Sequence, residues 1–329
     1  MAKAVHPRHG SMGVWPRVRS QREHAKIRSW IKGKEPKPVG FAGYKVGMAH
    51  VIAVDNNKNS KTKGQDLALP VTIVECPPIK VIGATFYKKD QYGLHAAAHV
   101  VSQADKFTKR AFPAAKKDTA GKFETLKPED YTEIRLVVQT QPHLTTIGKK
   151  KPEVFELGLG GKVPEQFTFA KEKLGKEVAL SEVFTEGQQV DIHAITTGKG
   201  YQGATKRFGL RLKSHKAEKG QRGPGAFGSW KGQAHTHYRI AKPGQMGYHQ
   251  RLDLNKWVLK IDDNADAINQ KEGFKRYGVV KNTYLLLKGS VPGPVKRLLK
   301  LTVAHRPRSN IPKEAPSINF VSTTAKAAN

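Results

Sequence analysis

The sequence predicts a mainly β body with an α+β insertion and two long basic extensions. Three observations carry this. Strand-like runs fill residues 39–92 and return across 252–303. A mixed stretch with helix signals, 93–185, separates them. Two segments, 1–38 and 198–251, have no apolar period of 2 or 3.6 and are dense in lysine, arginine and glycine.

The charge sets the class of partner. The 329 residues hold 58 Lys plus Arg against 27 Asp plus Glu, a net charge of +31. Self-repulsion of that size opposes compaction and points to a polyanion as partner. A hydrophobic share of 38% still supports a folded core. The longest apolar runs, such as Tyr284 to Leu287, fall far short of the roughly 20 residues a membrane-spanning helix needs, so no membrane is expected. The first residues carry no apolar stretch of a secretory signal, which gives a cytoplasmic expectation. A single cysteine, Cys76, excludes an internal disulfide and a multi-cysteine zinc site.

Taken in order, residues 1–38 read as an N-terminal basic extension. Arg8, Arg17, Arg19, Arg22, Lys26 and Arg28 interleave with Trp15 and Trp30, pairing cations with rings that can stack on bases. Residues 39–92, 186–197 and 252–314 read as the β body. Its strands fall at Gly40 to Val54, Leu69 to Cys76, Ile79 to Tyr87, Gln189 to Thr196, Trp257 to Ile261, Tyr277 to Val280, Tyr284 to Leu287 and Leu298 to Val303. Residues 93–185 read as an inserted α+β subdomain, with helices at His95 to Arg110 and Pro164 to Leu174 and a strand at Ile134 to Thr140. The tail, 315–329, is small and polar and reads as flexible.

The central loop, 198–251, carries the functional argument. Its cations are Lys199, Lys206, Arg207, Arg211, Lys213, Lys216, Lys219, Arg222, Lys231, Arg239, Lys242 and Arg251, against Glu218 alone. Phosphates are the natural surroundings of such a segment, and its glycines allow close backbone approach. Phe227, Trp230 and Tyr238 can stack on unpaired bases. Both extensions are expected to lack a packed partner within the protein and to order on binding RNA.

Rival readings are weaker. Gly198 to Gly203 matches G-x-G-x-x-G after a strand, which would suggest a nucleotide-dependent enzyme. The sequence that follows breaks at Gly209, and no acidic residue stands where a ribose would need one. His235-Thr236-His237 lacks a third metal ligand at a useful spacing, so neither metal nor cofactor is expected. No nucleophile–base pattern or paired carboxylates suggest catalysis, so no catalytic residue is assigned. Another DNA- or RNA-binding basic protein is permitted by charge, but the glycine-rich aromatic loop and the lack of a recognition-helix motif favour RNA.

Several motifs resemble one family. They are Gly10-Ser11-Met12-Gly13-Val14-Trp15-Pro16-Arg17, Gly40 to Met48, Thr197 to Gly203, Pro243 to Arg251 and Lys288 to Pro294. In this order, across residues 10 to about 308, they resemble ribosomal protein L-three of the large subunit, in its archaeal form. The resemblance implies a translation-protein-type β-barrel of six strands with an inserted subdomain and two RNA-penetrating extensions. It implies large-subunit rRNA and neighbouring ribosomal proteins as partners, with no small-molecule substrate. Gln245, Tyr248 and His249 of the Pro243 motif, and His215, join the cations above as expected rRNA contacts. By motif match, Trp230 with Phe227 and Gly228 forms the tip that approaches the peptidyl transferase centre.

Overall fold

The computed structural model describes residues 10–111, 119–217, 219–225, 227 and 236–322. Its strands, in chain order, are β1 Gly40–Val54, β2 Asp66–Glu75, β3 Ile79–Asp90, β4 Gly93–Val101, β5 Glu133–Gln139, β6 Val154–Gly158 and β7 Glu177–Val178. They continue with β8 Gln189–Ile195, β9 Tyr201–Gln202, β10 Gly244–Gln245, β11 Gln250–Asp262, β12 Tyr284–Lys288, β13 Leu298–Val303 and β14 Ile318–Val321. The helices are α1 Thr108–Ala111, α2 Val163–Lys173 and α3 Ala204–Phe208. The chain packs as two compact units, one formed by His24–Ala194 with Leu252–Asn329 and the other by Met1–Glu23 with Ile195–Arg251.

The larger unit is mainly β. Hydrogen bonding runs β13-β8-β11-β12-β2-β1 and returns from β1 to β13, so six strands pair in a closed ring. Closure protects the strand edges where the ring pairs, and β14 pairs with the later part of β1, beyond β13. The first residues of β1, Gly40 to Tyr44, pair with β13 and are buried throughout, and from Tyr44 onward β1 pairs with β2. Beyond them one extra residue bulges β1 between Lys45 and Gly47, which re-phases the strand. After the bulge Ala49, Val51 and Ala53 face inward, and Met48, His50 and Ile52 face outward. Gly43 is required by proximity: a Cβ there would stand 2.6 Å from Cys76 Sγ and 2.9 Å from the Glu75 carbonyl.

A second sheet in the same unit has the order β4-β3-β5-β6, with β7 on β3. Helix α2 is tied to it by Gln166, whose side-chain oxygen accepts the Ile134 N–H at 3.0 Å. Phe86 sits at the centre of a ring cluster, with centroids of Tyr131, Phe123 and Phe167 at 5.1, 5.7 and 6.0 Å. The most deeply buried carboxylate of this unit is fully engaged. The Glu75 carboxylate accepts the Tyr277 hydroxyl, the amides of Lys281 (2.9 Å) and Asn282 (3.0 Å) and the Asn282 side chain (2.8 Å).

Four expectations are corrected. Strand β3, placed by sequence in the β body, pairs with β4 and β5 in the second sheet. The helix expected over His95 to Arg110 is β4 as far as Val101, and only its end, in Thr108–Ala111, is helical. The cause is the preceding turn: Asp90 accepts the Tyr92 N–H at 2.8 Å and Gly93 takes φ +124°, which folds β4 back onto β3. Tyr277 to Val280 is a loop with a single bridge, Phe274 to Gly278, because Tyr277 turns inward to Glu75. The start of the tail expected to be flexible forms β14, whose Phe320 pairs with Ile52 of β1.

Candidate nucleic-acid interface

The smaller unit contains the described parts of the central loop and the start of the N-terminal extension. Strands β9 and β10 close the base of the loop, with Gly244 opposite Gln202 and Gln245 opposite Tyr201. Helix α3 starts after Gly203 and stops at Gly209, a left-handed residue at φ +68°. The glycine fingerprint therefore opens a helix of five residues, too short to present an N-terminus to a pyrophosphate. Gly247, at φ +70°, lets the chain pass the Thr197 carbonyl, since a Cβ would lie 2.1 Å from that oxygen.

Two arginines then join the segments. Arg207 donates to the carbonyls of Gln245 (2.9 Å), Lys242 (3.0 Å) and Arg17 (3.1 Å). Arg17 donates back to the Arg207 carbonyl at 2.7 Å, and its guanidinium lies 4.3 Å from the Phe208 ring. Trp15 packs at 5.6 Å from the same ring and 6.4 Å from Tyr238. Neutral carbonyl acceptors let two like charges sit in one small unit, because neither guanidinium must face the other.

The N-terminal segment continues alongside. The Ser20 N–H donates to the Tyr248 carbonyl at 2.8 Å, and Arg19 lies 4.6 Å over the Tyr248 ring. His249 is buried, and its Nδ1 stands 2.7 Å from the Val18 carbonyl. A carbonyl only accepts, so Nδ1 carries the proton. Burial first, then the positive charges of Arg251, Arg207 and Arg17, hold the imidazole below the ordinary histidine range against the opposing pull of the Val18 bond. The expectation that both extensions lack an intramolecular partner is thus corrected for the described residues. The periodicity test missed this because hydrogen bonds to main-chain carbonyls leave no apolar repeat.

The expected contact residues sort into two groups. Arg17, Arg207, Gln245 and His249 spend side-chain donors on the protein's own backbone, Gln245 bonding the carbonyls of Met246 (3.2 Å) and Gly247 (2.9 Å). Arg251 is half-buried and donates to the Gln250 carbonyl at 2.8 Å. Arg19, Arg22, Lys199, Lys206, Arg211, Lys213, His215, Lys216, Lys219, Arg222, Arg239 and Lys242 are exposed, as is Phe227. The turn that carries Arg211, Lys213, His215, Lys216, Lys219 and Arg222 is braced by the Lys213 N–H to the Gln221 carbonyl (3.1 Å) and by Thr205 Oγ1 to the Arg222 carbonyl (2.9 Å).

Lys26, Arg28 and Trp30 belong to the larger unit. Trp30 packs against its core, over the backbone of Gly158 and Gly40. Arg8, Gly228, Trp230 and Lys231 lie outside the described residues. Among the described residues no three His, Cys, Asp or Glu side chains group as a metal site, and no helix is long and apolar enough to cross a membrane.

Charge is the dominant property of the smaller unit. Its two sequence spans carry seventeen lysines and arginines against two glutamates, an excess of fifteen out of the chain's +31. That is half of the net charge on about a quarter of the residues.

Comparison with known proteins agrees with this picture. The family model described as "Ribosomal protein L3" matches residues 1–328. The chain is 44% identical over 336 residues to the large ribosomal subunit protein uL3 of Methanothermobacter thermautotrophicus, with 99% of each chain covered. It is 43% identical over 329 residues to uL3 of Archaeoglobus fulgidus, covering 97% and 98%, and 40% identical over 328 residues to uL3 of Methanocaldococcus jannaschii, covering 97% of each.

Proposed function

Because the chain belongs to the ribosomal protein L3 family, we propose that it is a structural constituent of the large ribosomal subunit in the cytoplasm that binds and compacts rRNA. The observation that carries the proposal is the concentration of exposed Lys and Arg on the smaller unit. Each such side chain that neutralises a phosphate releases a counterion, and the summed release drives binding. Bringing cations between RNA backbones lowers their mutual repulsion, which favours compaction during subunit assembly. Phosphate contacts supply affinity, and the shape of the folded RNA supplies selectivity.

The six-stranded ring supports reading the larger unit as a translation-protein-type β-barrel, with the second sheet and α2 as its insertion. Its role is to hold the cationic unit and to dock on RNA and on neighbouring ribosomal proteins. The family resemblance supports reading Phe227-Gly228-Ser229-Trp230 as a tip that approaches the peptidyl transferase centre and shapes RNA conformation there. Catalysis there belongs to RNA, and this chain contributes no catalytic residue.

Sedimentation tests the proposal. The tagged protein is expected to co-sediment with large subunits through a high-salt gradient, whereas recovery only as a free monomer would refute it. Trp230→Ala is expected to leave the body folded and to change sensitivity to drugs that act at the peptidyl transferase centre.

A further inference from the structure

The larger unit holds a cavity of about 280 Å³ that no role so far uses. Asp191 stands in its wall, 2% exposed, and fixes two backbone segments by accepting the N–H of Asn255 at 2.7 Å and of His305 at 2.9 Å. The first of these bonds holds Asn255 in a left-handed conformation, φ +56°. The Asn255 side-chain oxygen is buried with no hydrogen-bond partner among the described residues. Trp30 and His193 line the same cavity, and Leu252 and Leu254 stand beside them 49% and 50% exposed.

Burial keeps the His193 ring below the ordinary histidine range, so near neutral pH it presents one donor and one acceptor. The segments that contribute Ser29 to Ile31 and Thr302 to Arg306 also carry Arg28, Lys32, Arg306 and Arg308, all exposed, and no acidic residue between 26 and 34 or between 302 and 308.

An unpaired amide oxygen and an imidazole beside apolar walls suit a planar ligand with a polar edge. The volume lies just under the range of roughly 300–1,000 Å³ typical of small-ligand clefts, which suits one ring system and excludes a run of nucleotides. The flanking cations select a ligand attached to phosphates. We propose that this cavity takes a single unstacked base of large-subunit RNA, stacked beside Trp30 and hydrogen-bonded by Asn255 and His193, with Arg28 and Arg306 on the adjoining phosphates. Recognition of a splayed base by stacking and edge hydrogen bonds is the usual basis of sequence-selective RNA binding. This proposal rests on the ribosomal reading above and adds a specific subsite to it.

Two variants of the full-length protein test it inside assembled large subunits. Leu254→Trp fills the cavity from its exposed side, and Asn255→Gly removes the amide while keeping a residue suited to positive φ. Large subunits carrying each variant are probed with dimethyl sulfate and a carbodiimide, which react with exposed base edges. One unpaired nucleotide, protected in wild-type particles, is expected to become reactive in both variants, roughly tenfold or more from the loss of one stacking contact. An RNA pattern unchanged in particles that contain the variants would overturn the proposal. Loss of a neighbouring protein with RNA reactivity unchanged would also overturn it, assigning the cavity to a protein contact. Failure of the wild-type chain to enter large subunits at all would instead overturn the ribosomal reading on which the subsite depends.

Discussion

Arg207 shows how a cation expected at a ligand can also hold the protein's own fold together. In sequence it is one more cation in a basic loop; in the structure three of its N–H groups hold three separate carbonyls. Hydrogen bonds from charged donors each contribute about 1.5–3 kcal/mol, discounted here because the group is half-exposed. Arg207→Lys, which keeps the charge but loses the planar fork, is expected to weaken the local fold by about 2 kcal/mol. Limited proteolysis should then cut faster within residues 199–245, with the melting of the β body unchanged. His249 supplies a pH dependence at the same place. Its pKa in the fold lies below the ordinary value of about 6.5, so the unfolded segment binds the proton more readily. Stability from this group is full above that value and declines as pH falls below it, through the lower folded pKa. The Ser20 amide, bonded to Tyr248, should lose exchange protection between pH 7 and 5, and His249→Gln should flatten that response.

At the scale of elements, legibility followed the source of each signal. Strands β5, β8, β12 and β13 and helix α2 were readable because local pattern and tertiary pairing agree. β4 was not, since its alanines favour a helix and only the turn at Asp90 to Gly93 and the partner strand reverse that preference. β14 was hidden for a related reason: a four-residue strand owes its existence to the edge of β1 that it covers. Truncation after residue 314 is therefore expected to uncover Val51 to Ala53 and lower the melting temperature by several degrees. An unchanged melting temperature would mark the segment as a passive tail. Gly43→Ala probes the ring itself, where a methyl group would press on Cys76, Val74 and the Glu75 backbone at 2.9 Å or less. Overpacking of this kind costs about 1–3 kcal/mol, and thermal unfolding should register it as a drop of roughly 2–10 °C.

Across the whole molecule, composition was the most informative feature, because a charge of +31 constrains the partner whatever the fold. Composition could not show how that charge is arranged. The structure divides it between a β unit and a small unit whose first arginines build a scaffold and whose later ones stay exposed. The cavity around His193 and Asn255 was equally hidden, since residues near 30, 191, 255 and 305 meet only after the ring closes. The most direct test of the central claim is the salt dependence of binding between the full-length protein and a large-subunit RNA transcript. About ten neutralised phosphates predict that affinity falls by roughly four to five decades between 50 and 200 mM salt. Substituting the exposed Arg211, Lys213, Lys216 and Lys219 with glutamine should flatten that slope by about three to four. A slope near zero, or one unaffected by those substitutions, would contradict the account.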